Sequence, residues 1–298
     1  MKKMMFKGVL LVGGLIIVLW PTLKSSLLSA ENPGPEASKA PWVLDCTEAE
    51  SRLKASPEGQ VVWRAIEVHG GFKAWIQKKD LQYREDIVYH KTDAEYEQEN
   101  IVKVILGKSP NVLIKKMAPL KDVVLGLKGR AAWRTDKDIP ITHKDRLAEA
   151  QAELQETWDQ IHWPFSLAAA GIKLEAMPPI LSDKGLLIFH RIRVKQSDKE
   201  WKIFYFDARQ GWLERIYFQT EKGSLAGRPF LEVFGKYQKT DKILIPMERS
   251  YFIPNAQGDV KGPAFMSRHL RELRFDNGLD PKHFENPQKV QVKMKTQS

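Results

Sequence analysis

The sequence predicts a mainly antiparallel β fold with α-helices, in which a curved meander sheet carries helices on its concave side. Many runs of strand character follow one another, joined by connections such as QSDKE, DARQG, TEKGS and QKTDK. These are too brief for parallel crossovers, which need a dozen residues or more. Helical periodicity interrupts the series twice. Residues 201–206 also show apolar side chains on both faces, Trp201, Ile203 and Tyr205 on one and Phe204 and Phe206 with Lys202 on the other. A sheet apolar on both faces needs covering on both, or it must curl around its cover.

The chain has 298 residues, 43% hydrophobic and 28% charged, ordinary globular composition. Its first seven residues, MKKMMFK, carry three lysines and no acid, and residues 8–20 form an apolar run of 13 before Pro21. Segment 1–30 therefore reads as an export signal or an uncleaved N-terminal membrane anchor, short for a span of about 20 residues. Residues 31–55 read as a linker, richest in Pro and Ala over 31–45. The folded domain is expected over 56–290, with a polar tail at 291–298.

Ser56-Pro57-Glu58 is a helix start, with a serine N-cap, proline at the first helical position and an acid in the first turn. Val62, Ala65, Ile66 and His69 then share a face, and Gly70 ends the helix where a left-handed residue is commonly needed. Strands follow at 81–89, 101–107, 111–117, 123–127 and 131–135, with Lys128-Gly129 in a tight turn between the last two. Thr142 with Asp145 resembles a capping box, and 143–159 carries Leu147, Ala150, Leu154 and Trp158 at helical spacing. Strands resume at 172–176, 185–195, 201–206, 213–220, 230–237, 243–253 and 266–275.

Formal net charge is +10, of which four lysines belong to residues 1–30, leaving +6. That modest excess, with lysines scattered and no arginine-rich block, describes a solvated surface and no nucleic-acid site; a weak attraction to anionic lipid is a further reading. Cys46 is the only cysteine, so no internal disulfide can form. Seven histidines, at 69, 90, 143, 162, 190, 269 and 283, form no HExxH pattern, and no metal or other cofactor is expected. Gly223 to Gly227 has its serine displaced from the centre of a nucleophile turn. Glu149 and Glu153 lie one turn apart on the second helix, where a solvated face explains them. His190 sits in an apolar strand, as a sheet histidine or a ligand-orienting one. Arg191 and Arg193 share the face of Phe189, either as the charged rim of a cavity or as solvent-facing strand residues.

The order of several short motifs is similar to that of the LolA-like superfamily. They are His69-Gly70-Gly71 followed by Trp75, the stretch from Lys128 to Asp136 with Trp133, Trp163-Pro164-Phe165-Ser166-Leu167, Phe206-Asp207 to Arg215, and Phe275 with Asn277-Gly278-Leu279-Asp280, Phe284 and Pro287. The likeness spans roughly residues 57–287. The chain is longer than the founding lipoprotein carrier, and its His-Gly-Gly helix end resembles the uncharacterised relatives. What the resemblance implies is an unclosed half β-barrel with helices as a lid over an apolar cavity that accepts acyl chains. In the founding carrier that cavity shields a lipoprotein's lipid across the periplasm.

The function expected is therefore an exported, non-catalytic protein, periplasmic or anchored at the inner membrane. It would hold a lipid, an acyl chain or an acylated protein, with a membrane as further partner and a monomer favoured. Candidate lining residues are Phe189, Phe204, Phe206, Phe218 and Phe234, which would equally suit a filled core. Candidate lid residues are Leu147, Leu154 and Trp158, and candidate rim residues are Arg191 and Arg193. An anchored envelope scaffold that binds a protein partner, and a hydrolase with a dispersed site, are the alternatives.

Overall fold

The computed structural model describes residues 46–90, 95–107, 109–181, 185–195, 200–219, 227–255, 258–260 and 262–287. The expected export segment, residues 31–45 of the linker, the serine of the 223–227 stretch, the TEKGS connection, most of QSDKE and the polar tail lie outside these.

Three helices open the domain: α1 (Cys46–Lys54), α2 (Pro57–Val68) and α3 (Phe72–Ile76). The first occupies the stretch read as linker, and it is helical because Ala49 and Leu53, one turn apart, enter the core. Ser56 caps α2 by accepting a hydrogen bond from the Gly59 amide at 3.2 Å. At its other end Gly70 has φ 115°, and a Cβ there would lie 2.3 Å from the Lys242 carbonyl oxygen. Glycine is needed both for the backbone and for the close approach of the turn that carries Lys242. Gly71 follows with φ 83°, and the chain enters α3 rather than a strand directly.

The strands are β1 (Asp80–His90), β2 (Glu95–Ile105), β3 (Asn111–Ala118), β4 (Val123–Lys128), β5 (Ala131–Asp136), β6 (Ile139–Pro140), β7 (Leu174–Leu181), β8 (Ile188–Lys195), β9 (Trp201–Asp207), β10 (Leu213–Gln219), β11 (Pro229–Thr240), β12 (Ile243–Phe252) and β13 (Met266–Phe275). All pair antiparallel in one open sheet of order 6-5-4-3-2-1-13-12-11-10-9-8-7. The sheet is two meanders joined where β1 meets β13, with β6 and β7 as its edges. It does not close, so the architecture is an unclosed half-barrel with helices.

β2 begins six residues before the expected start. Its polar opening, EYEQEN, pairs along β1 from His90↔Glu95 onward, and Gln98 and Asn100 point inward into a polar network. β7 carries Pro178 and Pro179 at a register shift, which only an edge strand tolerates.

Helix α4 (Lys144–His162) and a 3-10 turn (Phe165–Ala168) connect β6 to β7, the two opposite edges of the sheet. This connection can return only across a face of the sheet, and it crosses the concave one. The capping box expected at Thr142 and Asp145 does not form: the N-cap is His143, and its side chain makes no capping bond. Leu154 and Trp158 are fully buried in one continuous apolar cluster with Val62 and Ile66 of α2, Phe165, and Leu125, Phe204 and Phe234 of the sheet. Trp75 stacks on Phe165 at 4.5 Å and 3°, which fixes the α3 corner against the chain leaving α4.

Candidate functional site

The helix-covered concave face divides into an apolar and a polar half. Side chains alternate along each strand, so cross-strand partners share a face. Phe204 pairs with Ile216 and Phe206 with Leu213, and all four belong to the core cluster beneath the helices, as does Phe234. Phe218 is half-buried against the same cluster. Phe189 is not with them. It lies on the opposite face with Ile203 and Tyr205, and the Arg215 guanidinium sits 4.6 Å above its ring.

Arg191 and Arg193 follow Phe189 to that outer face. Arg191 Nε donates to the Pro178 carbonyl at 2.8 Å, and Arg193 Nη1 lies 3.4 Å from Glu175 Oε1. Of the expected lid residues, Leu154 and Trp158 face the sheet, while Leu147 is half-buried outside the core cluster. The structure thus brings Phe204, Phe206 and Phe234 together with Leu154 and Trp158, and it sets Phe189, Arg191 and Arg193 apart.

The polar half was not anticipated. Arg249 on β12 and Arg268 on β13 are direct cross-strand partners on the concave face, 4% and 8% exposed. Like charges so placed destabilise a sheet unless anions compensate. Glu232 on β11 and Glu85 on β1 supply them: Glu232 Oε1 lies 3.8 Å from Arg249 Nη1, and Glu85 Oε1 lies 3.5 Å from Arg268 Nη1. Asn100 Nδ2 donates to Glu85 Oε2 at 3.2 Å and Gln98 Nε2 to Asn100 Oδ1 at 2.8 Å, extending the chain to β2.

Helix α4 closes this network from above. Gln160 Oε1 accepts from Arg249 Nη1 at 2.8 Å, and Gln160 Nε2 donates to Tyr251 Oη at 2.8 Å and to Glu156 Oε1 at 2.9 Å. Tyr251 donates in turn to Glu232 Oε1 at 2.9 Å, and Glu156 Oε1 lies 3.5 Å from Arg268 Nη2. One turn back, Lys116 of β3 donates to Glu153 at 3.0 Å. The helix therefore presents two stripes, Ala150, Leu154, Trp158 and Ile161 to the apolar core and Glu153, Glu156 and Gln160 to the sheet's polar centre. Glu153 at this seam, paired with Lys116, does not lie on the solvated helix face that its spacing from Glu149 suggested.

Burial pushes the Glu232 carboxyl above the ordinary carboxylate value, against the pull of the Arg249 charge. It pushes the Tyr251 hydroxyl well above its usual range, with Glu232 adding to the shift. Glu232 Oε2, Arg249 Nε and Arg268 Nε are buried and make no hydrogen bond. Such a network holds the helix in a defined place but is incompletely satisfied. The sequence does carry a signal for it, because Glu85, Glu232, Arg249 and Arg268 each sit two positions from large apolar residues, as in Phe230-x-Glu232-x-Phe234. Charged residues in phase with the inward stripe are the mark.

Two buried histidines are structural. His69 Nδ1 bonds the Ala65 carbonyl at 2.8 Å and His162 Nδ1 that of Trp158 at 2.7 Å, and burial lowers both to about 4. Among the described residues no three His, Cys, Asp or Glu side chains converge as a metal ion would need. An open surface depression of about 510 Å³ lies at the far end of α4 from Gln160, lined by Pro140, Ile141, Thr142, His143 and Arg146.

No protein-family model matches the chain, and no curated protein matches its sequence. Solved structures match its fold. A LolA superfamily protein from Nitrosomonas europaea is 13% identical, with 76% of this chain and 96% of that one covered at a TM-score of 0.50. A DUF1329 family protein from Desulfovibrio piger is 12% identical, with 78% and 98% covered at a TM-score of 0.52. The described chain has a LolA-like fold.

Proposed function

From a LolA-like fold as premise, we propose that the chain is an exported, non-catalytic binding protein. It holds a lipid, an acyl chain or the acyl group of a lipoprotein between its curved sheet and α4. The observation that carries this reading is the two-stripe seat of α4. An apolar layer containing Phe204, Phe206 and Phe234 lies beneath a helix whose polar stripe is fastened to Arg249, Tyr251 and Arg268. Polar contacts can be exchanged for water when the helix lifts, whereas the apolar layer then seeks an apolar occupant. Each methylene buried contributes about 0.8 kcal/mol, so a long acyl chain is held without a specific polar motif.

Native mass spectrometry of the purified chain tests the proposal, together with titration by a fluorescent fatty acid. A lipid adduct, and displacement of the fluorescent probe by unlabelled fatty acid, are expected. A chain that is uniformly empty and takes up no probe refutes it.

A second reading, an envelope scaffold that binds a protein partner, draws on the near-complete burial of Leu154, Trp158, Phe204 and Phe206 against one another. In that case the concavity is filled by the protein's own side chains. The empty protein would then copurify with a partner rather than a lipid.

A further inference from the structure

The side chain of Gln160 is a carboxamide with both of its polar atoms engaged. It is 6% exposed on the inner side of α4. Its Oε1 accepts from Arg249 Nη1 at 2.8 Å, and its Nε2 donates to Tyr251 Oη at 2.8 Å and to Glu156 Oε1 at 2.9 Å. The reverse orientation would set amide hydrogens against the guanidinium and the amide oxygen against Glu156, so the partners themselves fix which end is which.

This seat is selective because its protons are already assigned. Tyr251 has one hydroxyl proton, and it goes to Glu232 Oε1 at 2.9 Å. Toward Gln160 that hydroxyl only accepts, whereas Arg249 only donates. A group that replaces the glutamine must therefore offer an acceptor and an N–H on one carbonyl carbon, which an amide does. A carboxylate has no donor. It would have to take the Tyr251 proton from Glu232, whose Oε2 is already without a hydrogen bond, and leave a buried carboxylate bare. An ammonium head would lie against Arg249.

Local charge gives the same answer. Arg249 and Arg268 face three carboxylates: Glu232 at 3.8 Å from Arg249, and Glu85 and Glu156 each at 3.5 Å from Arg268. One turn back along α4, Lys116 is taken by Glu153. A further anion finds no unpaired cation here. Arg249 Nε and Arg268 Nε are buried without hydrogen bonds, so one glutamine does not use all that the seat offers. Arg249, Tyr251 and Glu232 belong to β11 and β12, whereas Gln160 and Glu156 belong to α4 and leave with it. The seat also adjoins the apolar layer, because Phe234 is the cross-strand partner of Arg249 and its ring lies 5.8 Å from the guanidinium.

We propose that the Gln160 carboxamide is a built-in stand-in for the ligand's head group, and that the sheet selects an acyl amide whose C=O accepts from Arg249 and whose N–H donates to Tyr251. The proposal rests on the lipid-holding reading and specifies which acyl compound is preferred. With α4 lifted one N–H suffices, so primary fatty amides and N-acylated amines share the same chemistry.

The test loads the full chain with a fluorescent fatty acid and compares its displacement by oleamide, N-methyloleamide, oleate and methyl oleate. Both amides should displace the probe at about tenfold lower concentration than methyl oleate, which has the acceptor but no donor, and than oleate. Equal midpoints for the two amides assign the single N–H of an N-acyl linkage, and oleamide ahead assigns a primary amide; either upholds the proposal. Glu232→Gln removes the anion that claims the Tyr251 proton, so oleate should gain about tenfold on oleamide. An unchanged ratio in a variant whose circular dichroism matches the parent overturns the proposal. A measurement on the parent chain needs no variant: the carbonyl stretch of bound, isotope-labelled oleamide should lie below its value in detergent micelles, as befits an acceptor from a guanidinium, and an unshifted band overturns the assignment. No uptake of the probe refutes lipid holding and this proposal with it. Uptake with equal midpoints for all the compounds leaves lipid holding intact and overturns the amide head group alone.

Discussion

His69 and His162 each bond a backbone carbonyl one turn back through Nδ1, and burial lowers both from 6.5 to about 4. Between those values the unfolded chain binds protons that the folded chain does not. Their contribution is therefore fully present above pH 6.5 and lost as pH falls toward 4, at about 3 kcal/mol for each histidine. Urea unfolding at pH 7 and pH 4.5 should show a loss of several kcal/mol, and His69→Gln should lose less than the parent across that window. Equal losses would argue against the assignment. Asp80 acts on a different scale of distance. Its buried carboxylate accepts from the Asn277, Gly278 and Leu279 amides and from Asn277 Nδ2, at 2.7–3.0 Å, and so ties the closing tail to the start of β1. Asp80→Ala should cost about 3 kcal/mol, read from the urea midpoint, because several charge-assisted bonds are lost at once.

The polar stripe of α4 depends on Gln160, which bridges Arg249, Tyr251 and Glu156. Gln160→Ala leaves buried donors unpaired and should cost roughly 2–3 kcal/mol. Hydrogen exchange should speed up along α4 before it does in β1 or β13; a uniform rise over the whole sheet would show that the stripe is no latch. The β4–β5 hairpin is limited by volume rather than charge. A Cβ on Gly126 would lie 2.2 Å from the Trp133 ring, and Trp133 cannot step aside because its Nε1–H donates to the Phe284 carbonyl at 3.0 Å. Gly126→Ala should therefore cost about 1–3 kcal/mol by overpacking, seen as a Tm lowered by several degrees. The Trp133 of the Lys128–Asp136 motif thus has a definite structural task. It joins the first meander to the tail that follows β13.

For the whole molecule, a ligand bound between α4 and the sheet must stabilise the folded state by mass action. Fatty acid at 100 times its Kd should add about 2.7 kcal/mol to unfolding, and an unchanged Tm at that concentration would contradict the lipid-holding proposal. Most elements were legible in the chain itself. Strand alternation, the Ser56-Pro57 start, the Gly70 stop and the Leu154–Trp158 spacing are local signals, and short connections required antiparallel neighbours. Two elements are locally ambiguous: EYEQEN is a strand whose inward residues are polar, and in helix 46–54 only Ala49 and Leu53 need burial. The candidate site was legible in its apolar half only. Phe204, Phe206 and Phe234 lie in the layer under α4, but Phe189 lies on the outer face because register, which residues far apart in sequence decide, sets the face of a side chain. The sequence by itself determined a meander of strands with helical covers and a glycine corner after α2. Only the tertiary structure decided that β1 pairs with β13, that α4 must therefore cross from edge to edge over the concave face, and that Arg249, Arg268, Glu232 and Glu85 meet beneath it. The physical reason is that strand pairing and charge compensation are contacts between distant segments, whose worth depends on burial that no local window of sequence records.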